Sequence, residues 1–85
     1  MSSVHVITPI VTEGFRAAAL PAPDGCNVTI VQILQGPSSI ESAVDEVLAA
    51  PGVVDAAIKA QADGADAIVI DCMLDPGLDA AREAV

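Results

Sequence analysis

Residues 64–77, GADAIVIDCMLDPG, decide the fold. Residues 67–70 are apolar without a break, a pattern typical of an interior strand in a parallel sheet. Gly64 suits the end of a preceding helix. Asp75 and Pro76 suit the start of a following helix, as its N-cap and its first residue. This stretch therefore predicts a strand between two helices.

The rest of the chain repeats the alternation of strands and helices. Residues 4–8 and 27–34 are predicted strands, because they are rich in Val, Ile and Thr and are bounded by Pro or Gly. A short helix is predicted from Thr12, as its cap, to Leu20. The order β-α-β-α-β-α predicts an α/β fold, a parallel sheet with helices on both faces.

The second helix has the clearest sequence signal. Ser38 and Glu41 form a capping-box pattern, and apolar residues follow at helical spacing from Ile40 onward. Pro51 and Gly52 predict an interruption of this helix. A continuing helical segment is predicted to have Pro51 in its first turn.

Composition argues against several classes of partner. The 85 residues carry a net charge of −9, from 12 acidic and three basic residues, so nucleic acid and anionic membranes are not expected partners. No apolar run approaches a membrane span, and the N-terminus lacks the features of a signal peptide. Two cysteines without a CxxC motif make no disulfide framework. A cytoplasmic location is expected.

Ligands of parallel sheets bind at the carboxyl ends of the strands, where residues 8–12, 36–42 and 71–77 are predicted to lie. Cys72 directly follows a strand and precedes a helix, which makes its thiol a candidate acid or base. The helix dipole favours the thiolate, whereas Asp71 and Asp75 oppose it. The alternative is that Cys72 is a small buried apolar side chain.

Hydroxyl groups are the other polar candidates at this edge. Thr8, Thr12, Ser38 and Ser39 could bind a small polar substrate, although helix capping competes for Thr12 and Ser38. Cys26 and His5 are predicted at the far edge of the sheet and are assigned no role. The chain has no phosphate-binding glycine loop, and with one histidine and no clustered ligands it is not expected to bind a metal.

Several motifs together resemble those of one enzyme family. Residues 36–42, GPSSIES, resemble the GPxSIES segment of hydantoin racemases, and residues 49–53, 64–67 and 71–83 continue the match in order and spacing. Residues 7–16 look like a variant of the INPNTS opening loop. The chain thus resembles the aspartate/glutamate/hydantoin racemase superfamily over nearly its whole length.

The resemblance implies an enzyme of two similar α/β domains that face each other across a cleft. One cysteine from each domain flanks the α-carbon of an amino acid or hydantoin. One thiolate removes the proton and the other thiol returns a proton to the opposite face, without pyridoxal phosphate or metal. Residues 1–85 would be the N-terminal part of the enzyme, with its second half outside this chain, and Cys72 would be one catalytic thiol. The expected substrate-binding residues are Thr8, Pro9, Ile10, Thr12, Ser39 and Met73.

Departures from the family pattern keep alternatives open. Thr8 and Ile10 stand where many relatives have asparagine, and Leu74 stands where relatives have glycine. A non-catalytic binding module or an inactive fragment is therefore one alternative. A related decarboxylase or isomerase is another, although the decarboxylases keep the cysteine of the second half rather than the one at position 72. Residues 1–85 alone are expected to be inactive, and their apolar surface predicts a homo-oligomer.

Overall fold

The structure is a computed structural model that describes residues 2–12 and 22–85. In this part of the chain, the elements follow in the order β1 (Ser2–Thr8), β2 (Cys26–Gln32), α1 (Ala43–Ala62), β3 (Ala67–Ile70) and α2 (Leu78–Ala84). The predicted α/β fold is confirmed. The helix predicted from residue 12 to residue 20 lies outside the described residues.

The strands form one parallel sheet in the order β2-β1-β3. All seven residues of β1 pair with β2, and residues 4–7 of β1 pair with β3. The prediction that residues 67–70 form an interior strand is wrong for the described sheet, because β3 lies at its edge and Val69 is 47% exposed. The interior strand is β1, of which residues 5–8 are buried. An apolar run does not reveal how many neighbours a strand has, since those neighbours are distant in sequence.

One face of the sheet is covered by α1, with α2 packed beside it. The core contains large side chains from the sheet side and small ones from the helices. Its buried members are Ile7, Ile33, Val53, Ala57 and Ala81. Burial of an aliphatic side chain the size of Ile7 contributes about 1.5–3 kcal/mol. The alanines allow the helices to lie close to the sheet and to each other.

The first turn of α1 is capped by Ser42, whose Oγ accepts a hydrogen bond from the Asp45 backbone N–H at 3.3 Å. Asp45 reciprocates by accepting from the Glu41 backbone N–H at 2.9 Å. The capping box predicted at Ser38 is therefore wrong by four residues. Two Ser-x-x-acid patterns follow one another in this segment, and the later one caps the helix through the Asp45 N–H.

The predicted interruption at Pro51 is also wrong, because α1 continues through it as one helix of 20 residues. Pro51 has no N–H and so cannot donate to the carbonyl of Val47, which removes one helical hydrogen bond. The helix ends at Ala62 with Asp63 as its C-cap, and Gly64 follows with a φ of +93°, as predicted for its C-terminal glycine. No helix of the described residues is both long and apolar enough to cross a membrane.

The start of α2 also lies later than predicted. Asp75 is not its N-cap but a turn residue with a φ of +49°, and the helix begins at Leu78 after Gly77. The Asp75 carbonyl accepts from the Leu78 N–H at 3.1 Å, and the Pro76 side chain is fully buried. Asp75 and Pro76 thus form a packed turn ahead of the helix.

Candidate active site

Three loops follow the carboxyl ends of the strands, so they emerge at one edge of the sheet. They are the opening loop after β1 (residues 9–12), the middle loop after β2 (residues 33–42) and the cysteine loop after β3 (residues 71–77). This edge, called the ligand edge below, is where parallel α/β sheets bind their ligands. The sequence predicted the same three segments.

Two carbonyl groups of β1 hold the neighbouring loops in place. The Ile33 N–H donates to the Thr8 carbonyl at 3.1 Å, and the Asp71 N–H donates to the Ile7 carbonyl at 2.9 Å. Both loops therefore begin at positions fixed by the central strand.

The opening loop is joined to the middle loop farther out. The Val11 N–H donates to the Pro37 carbonyl at 3.0 Å, and the Thr12 hydroxyl donates to the Ser38 carbonyl at 2.5 Å. The Thr12 carbonyl in turn accepts from Nε2 of Gln32 at 2.7 Å. These bonds bring two of the predicted substrate-binding segments together.

Cys72 lies at the start of the cysteine loop with its side chain partly buried. Its N–H donates to the Ile70 carbonyl at 3.0 Å, and its carbonyl accepts from the Asp75 N–H at 3.1 Å. Both backbone groups of Cys72 are thus engaged in tight turns. The thiol is carried by a backbone that local hydrogen bonds fix on both sides.

Met73 and Leu74 occupy the corner of the second turn, with 99% and 48% of their surfaces exposed. Corners of β-turns usually hold Gly, Pro or small polar residues, so two large apolar side chains are unusual there. The end of the loop is anchored at Gly77, which has a φ of +74°. A Cβ at Gly77 would lie 3.2 Å from the Cα and carbonyl oxygen of Ala50 in α1. The cysteine loop therefore rests directly on α1.

Thr8, Pro9 and Ile10 are buried at the junction of β1 and the opening loop. The Thr8 side chain is 2% exposed, and its Oγ1 has no hydrogen-bond partner in residues 2–12 or 22–85. An unsatisfied buried polar group costs about 1–3 kcal/mol. Thr8 thus holds an unused donor and acceptor at the ligand edge.

Thr12 and Ser39 are exposed and already donate their hydroxyl protons within the chain. The Ser39 hydroxyl donates to Oε2 of Glu41 at 2.9 Å, and that of Thr12 donates to the middle loop. Each oxygen can still accept a hydrogen bond, so these residues offer acceptors to a ligand.

The residues that sequence reasoning set aside are not brought to the ligand edge. Cys26 is the first residue of β2, about 20 Å along that strand from its carboxyl end at a rise of about 3.3 Å per residue. His5 lies in the middle of β1, buried, with no hydrogen-bond partner for Nδ1 in the described part of the chain. The described residues contain no group of three or more His, Cys, Asp or Glu side chains placed to hold a metal.

Sequence reasoning missed the part played by two glycines. Gly77 anchors the cysteine loop against α1, and Gly52 allows α1 to approach the middle loop, since a Cβ there would lie 2.6 Å from the Gln35 carbonyl oxygen. Both glycines follow a proline, at 51–52 and 76–77, and these pairs were the sequence feature that could have indicated close packing. Because Pro-Gly pairs usually mark turns, they were interpreted as breaks between elements.

Comparison with known proteins agrees with this arrangement. The sequence matches the model of the Asp/Glu/Hydantoin racemase family over residues 3–85. The chain belongs to this family. The resemblance inferred from the motifs is therefore confirmed.

Individual relatives are hydantoin racemases. The chain is 42% identical over 85 residues to the hydantoin racemase of Pseudomonas sp. (strain NS671), with 94% of this chain and 34% of the relative covered. It is 36% identical to the hydantoin racemase of Rhizobium meliloti, with 94% and 35% covered. The chain spans about a third of the length of these relatives.

A solved structure also matches the fold. Allantoin racemase from Klebsiella pneumoniae superposes with a TM-score of 0.81 at 34% sequence identity, covering 98% of this chain and 36% of the other. The α/β arrangement described above is thus a part of a racemase fold.

Proposed function

We propose that the protein containing this chain is a cofactor-independent racemase or epimerase, in which Cys72 moves a proton at the α-carbon of a hydantoin or an amino acid. The observation that carries the proposal is the placement of Cys72. Its thiol follows β3 at the ligand edge of a racemase-family chain, on a backbone fixed by two turns. Residues 1–85 would form the N-terminal part of a two-domain enzyme, and a second thiol would come from the rest of the protein.

The proposed reaction exchanges protons without any change of oxidation state. The Cys72 thiolate takes the α-proton and becomes a thiol, and the substrate becomes an enolate. A thiol on the opposite face then gives its proton to the same carbon and becomes a thiolate. The reverse sequence converts the other enantiomer, so each thiol serves as base in one direction and as acid in the other.

The charge that develops on the enolate oxygen needs hydrogen-bond donors. The N–H groups of Met73 and Leu74, in the turn that follows Cys72, are two candidate donors. The unpartnered Thr8 hydroxyl is a further donor at the same edge. We propose that these groups stabilise the enolate, with Pro9, Ile10, Thr12, Ser39 and Met73 completing this side of the pocket.

A hydantoin is the favoured substrate class. Two relatives are hydantoin racemases, and the solved structure is an allantoin racemase. Hydantoin and allantoin share a five-membered ring in which the carbon acid lies between a carbonyl group and a nitrogen. The ring carbonyl accepts the negative charge of the enolate, so the same donors serve both compounds.

The test is exchange of the α-proton of a single-enantiomer hydantoin in deuterated water, followed by NMR together with optical rotation. The full-length protein should exchange the proton and racemise the substrate. Cys72→Ala should lower racemisation by about 10²–10⁴-fold, the usual contribution of an acid–base group. Cys26→Ala is the matched control, because it removes the other partly buried thiol from the far edge of the sheet, and it should keep wild-type rates.

Three outcomes would contradict the proposal. Exchange that survives Cys72→Ala at the wild-type rate would remove Cys72 from the reaction. Equal losses in Cys72→Ala and Cys26→Ala would indicate a structural role for both thiols. A full-length protein that binds hydantoins without exchanging the proton would be a binding module. Residues 1–85 expressed alone should show no turnover, since they would supply one face of the substrate only.

A further inference from the structure

Helix α1 lies between two of the ligand-edge loops. At 3.6 residues per turn, Ala50 and Gly52 point about 200° apart around the helix, on the two sides of its buried residue Val53. The cysteine loop contacts the first side, where a Cβ on Gly77 would lie 3.2 Å from the Cα and the carbonyl oxygen of Ala50. The middle loop contacts the second side, where a Cβ on Gly52 would lie 2.6 Å from the Gln35 carbonyl oxygen. The width of α1 at this turn therefore sets the distance between the two loops.

The cysteine loop is held at its two ends by different elements. At its start, the Asp71 N–H donates to the Ile7 carbonyl of β1 at 2.9 Å, and at its end Gly77 rests on α1. Between these points, the Asp75 N–H donates to the Cys72 carbonyl at 3.1 Å and closes a turn. The loop cannot lengthen or shorten without breaking these hydrogen bonds. A shift of Gly77 relative to β1 therefore moves Cys72.

The contact between Gly77 and Ala50 is close on the side-chain side as well. The position that a Cβ would take on Gly77 is 3.4 Å from the Ala50 Cβ. Ala50 is partly buried and lies outside the core cluster that contains Ile7 and Val53. Packed regions respond to added volume with shifts of the backbone. A larger residue at position 50 would therefore push the end of the cysteine loop away from α1.

We propose that Ala50 is a positioning residue, which through Gly77 sets the place of the Cys72 thiol relative to the substrate. The inference rests on the proposed function, since it concerns proton transfer by Cys72. A misplacement of reacting groups by about 1 Å can cost on the order of 100-fold in rate. Enlargement of Ala50 should therefore slow the transfers that involve Cys72, while the thiol on the opposite face of the substrate keeps its place.

Racemisation of each enantiomer of a 5-substituted hydantoin by full-length Ala50→Val tests the proposal. Valine has one strongly preferred χ1 rotamer in a helix, so its added methyl groups do not turn freely into solvent. The variant should lower kcat by about 10- to 100-fold. KM should change less than kcat, because the opening loop, which supplies part of the binding groups, is not moved.

Ala56→Val is the matched control for this variant. Ala56 is also a partly buried alanine of α1, but it packs against the core about 9 Å farther along the helix. The control should keep the wild-type kcat even where it lowers the melting temperature. Equal losses of kcat in Ala50→Val and Ala56→Val would show a general effect of overpacking and would overturn the proposal.

Deuterium isotope effects distinguish a displaced thiol from a general loss of structure. Cys72 deprotonates one enantiomer of the α-deuterated substrate, and the second thiol deprotonates the other. In Ala50→Val, the transfer that involves Cys72 becomes the slower of the two steps. The isotope effect on kcat/KM should therefore rise for the enantiomer that Cys72 deprotonates and fall for the other one.

Ala50→Ser gives the same test if Ala50→Val does not fold, since it adds a single oxygen atom. Its isotope effects should diverge between the enantiomers in the same way, with a smaller loss of kcat. Isotope effects that stay as in the wild type in every folded variant at position 50 would overturn the role of Ala50 and leave the proposed function intact. A wild-type protein that exchanges no α-proton would instead refute the proposed function, and this inference with it.

Discussion

The two edges of the sheet, where the strands begin and where they end, differ in how their polar groups are paired. At the amino edge, where the strands begin, polar groups are paired with each other. The Ser2 N–H donates to the Gly25 carbonyl at 2.8 Å. The Ser3 N–H donates to a carboxylate oxygen of Asp66 at 2.7 Å, and the Asp66 N–H donates back to the Ser3 carbonyl at 2.8 Å.

At the ligand edge, polar and apolar groups are left available. The Thr8 hydroxyl is buried without a partner in the described residues, and Met73 is almost fully exposed. The difference is that these polar groups of the amino edge bond to one another, whereas the ligand edge, besides its own hydrogen bonds, keeps a buried hydroxyl that is unpaired in the described residues and an exposed methionine. It also separates two thiols of similar burial, since Cys72 lies at one edge and Cys26 at the other.

The largest expected difference between the two edges is in the stability lost when a glycine is replaced by alanine. Gly77→Ala should cost about 2–4 kcal/mol, because alanine at a φ of +74° is strained and its Cβ would press on Ala50. Gly25→Ala, at a φ of +81° but with no atom within 4 Å, should cost about 1–2 kcal/mol. Urea denaturation of the full-length protein measures both. Equal losses would show that the cysteine loop does not rest on α1 as described.

The next contrast concerns a glycine in the middle of α1 and a glycine just after its C-terminal end. Replacing an interior helix glycine by alanine normally stabilises a helix by about 1 kcal/mol, but Gly52→Ala should destabilise by about 1–3 kcal/mol because its Cβ would meet the Gln35 carbonyl oxygen. Gly64→Ala, near the amino edge with open space around it, should cost only the strain of its positive φ, about 1–2 kcal/mol. Calorimetric melting temperatures would reveal the sign, and a stabilised Gly52→Ala would refute the close approach.

A smaller effect is expected at the helix cap on the ligand-edge side. Ser42→Ala should destabilise by about 1 kcal/mol, since Ser42 accepts from the Asp45 N–H. Ser38→Ala should have almost no effect, because the Ser38 contact described here is made by its backbone carbonyl. Denaturant midpoints distinguish the two serines, and a larger loss at Ser38 would restore the earlier capping box.

The smallest expected change has the opposite sign. Thr8→Val removes an unpaired buried hydroxyl without a change of shape and should stabilise the free protein by about 0.5–1 kcal/mol. The same variant should raise KM or lower kcat for a hydantoin if the hydroxyl binds substrate. Thr12→Val is the control for stability, because its hydroxyl is already bonded to Ser38, and it should destabilise slightly. Destabilisation by Thr8→Val would mean that the hydroxyl is satisfied.

The sequence predicted the strands and the position of Cys72 correctly because these depend on local patterns. An apolar run such as residues 67–70, closed by a turn, identifies a strand wherever its neighbours lie. Parallel pairing then follows from the predicted alternation of strands and helices, and it brings the three loops to one edge.

The starts of the helices and the depth of β3 could not be read from the sequence. Ser38 and Ser42 both begin a plausible capping pattern, and in the structure the Pro37 and Ser38 carbonyls accept hydrogen bonds from the opening loop, so the helix begins after Ser42. In the described sheet β3 pairs with β1, which lies far away in the chain, and a local pattern does not identify that partner. Non-local contacts decide these features, and no short motif records them.

The backbone carbonyl groups of Ile7 and Thr8 hold the starts of two ligand-edge loops on the same strand. Because the amides of Asp71 and Ile33 bond to consecutive peptide groups of one strand, we expect both to resist hydrogen–deuterium exchange and to open together as one cooperative unit. In the proposed function, a substrate at Cys72 would meet loop starts that these bonds already hold in position. The side chains that could move to fit the shape of the substrate are those of Met73 and Leu74, which are exposed to solvent.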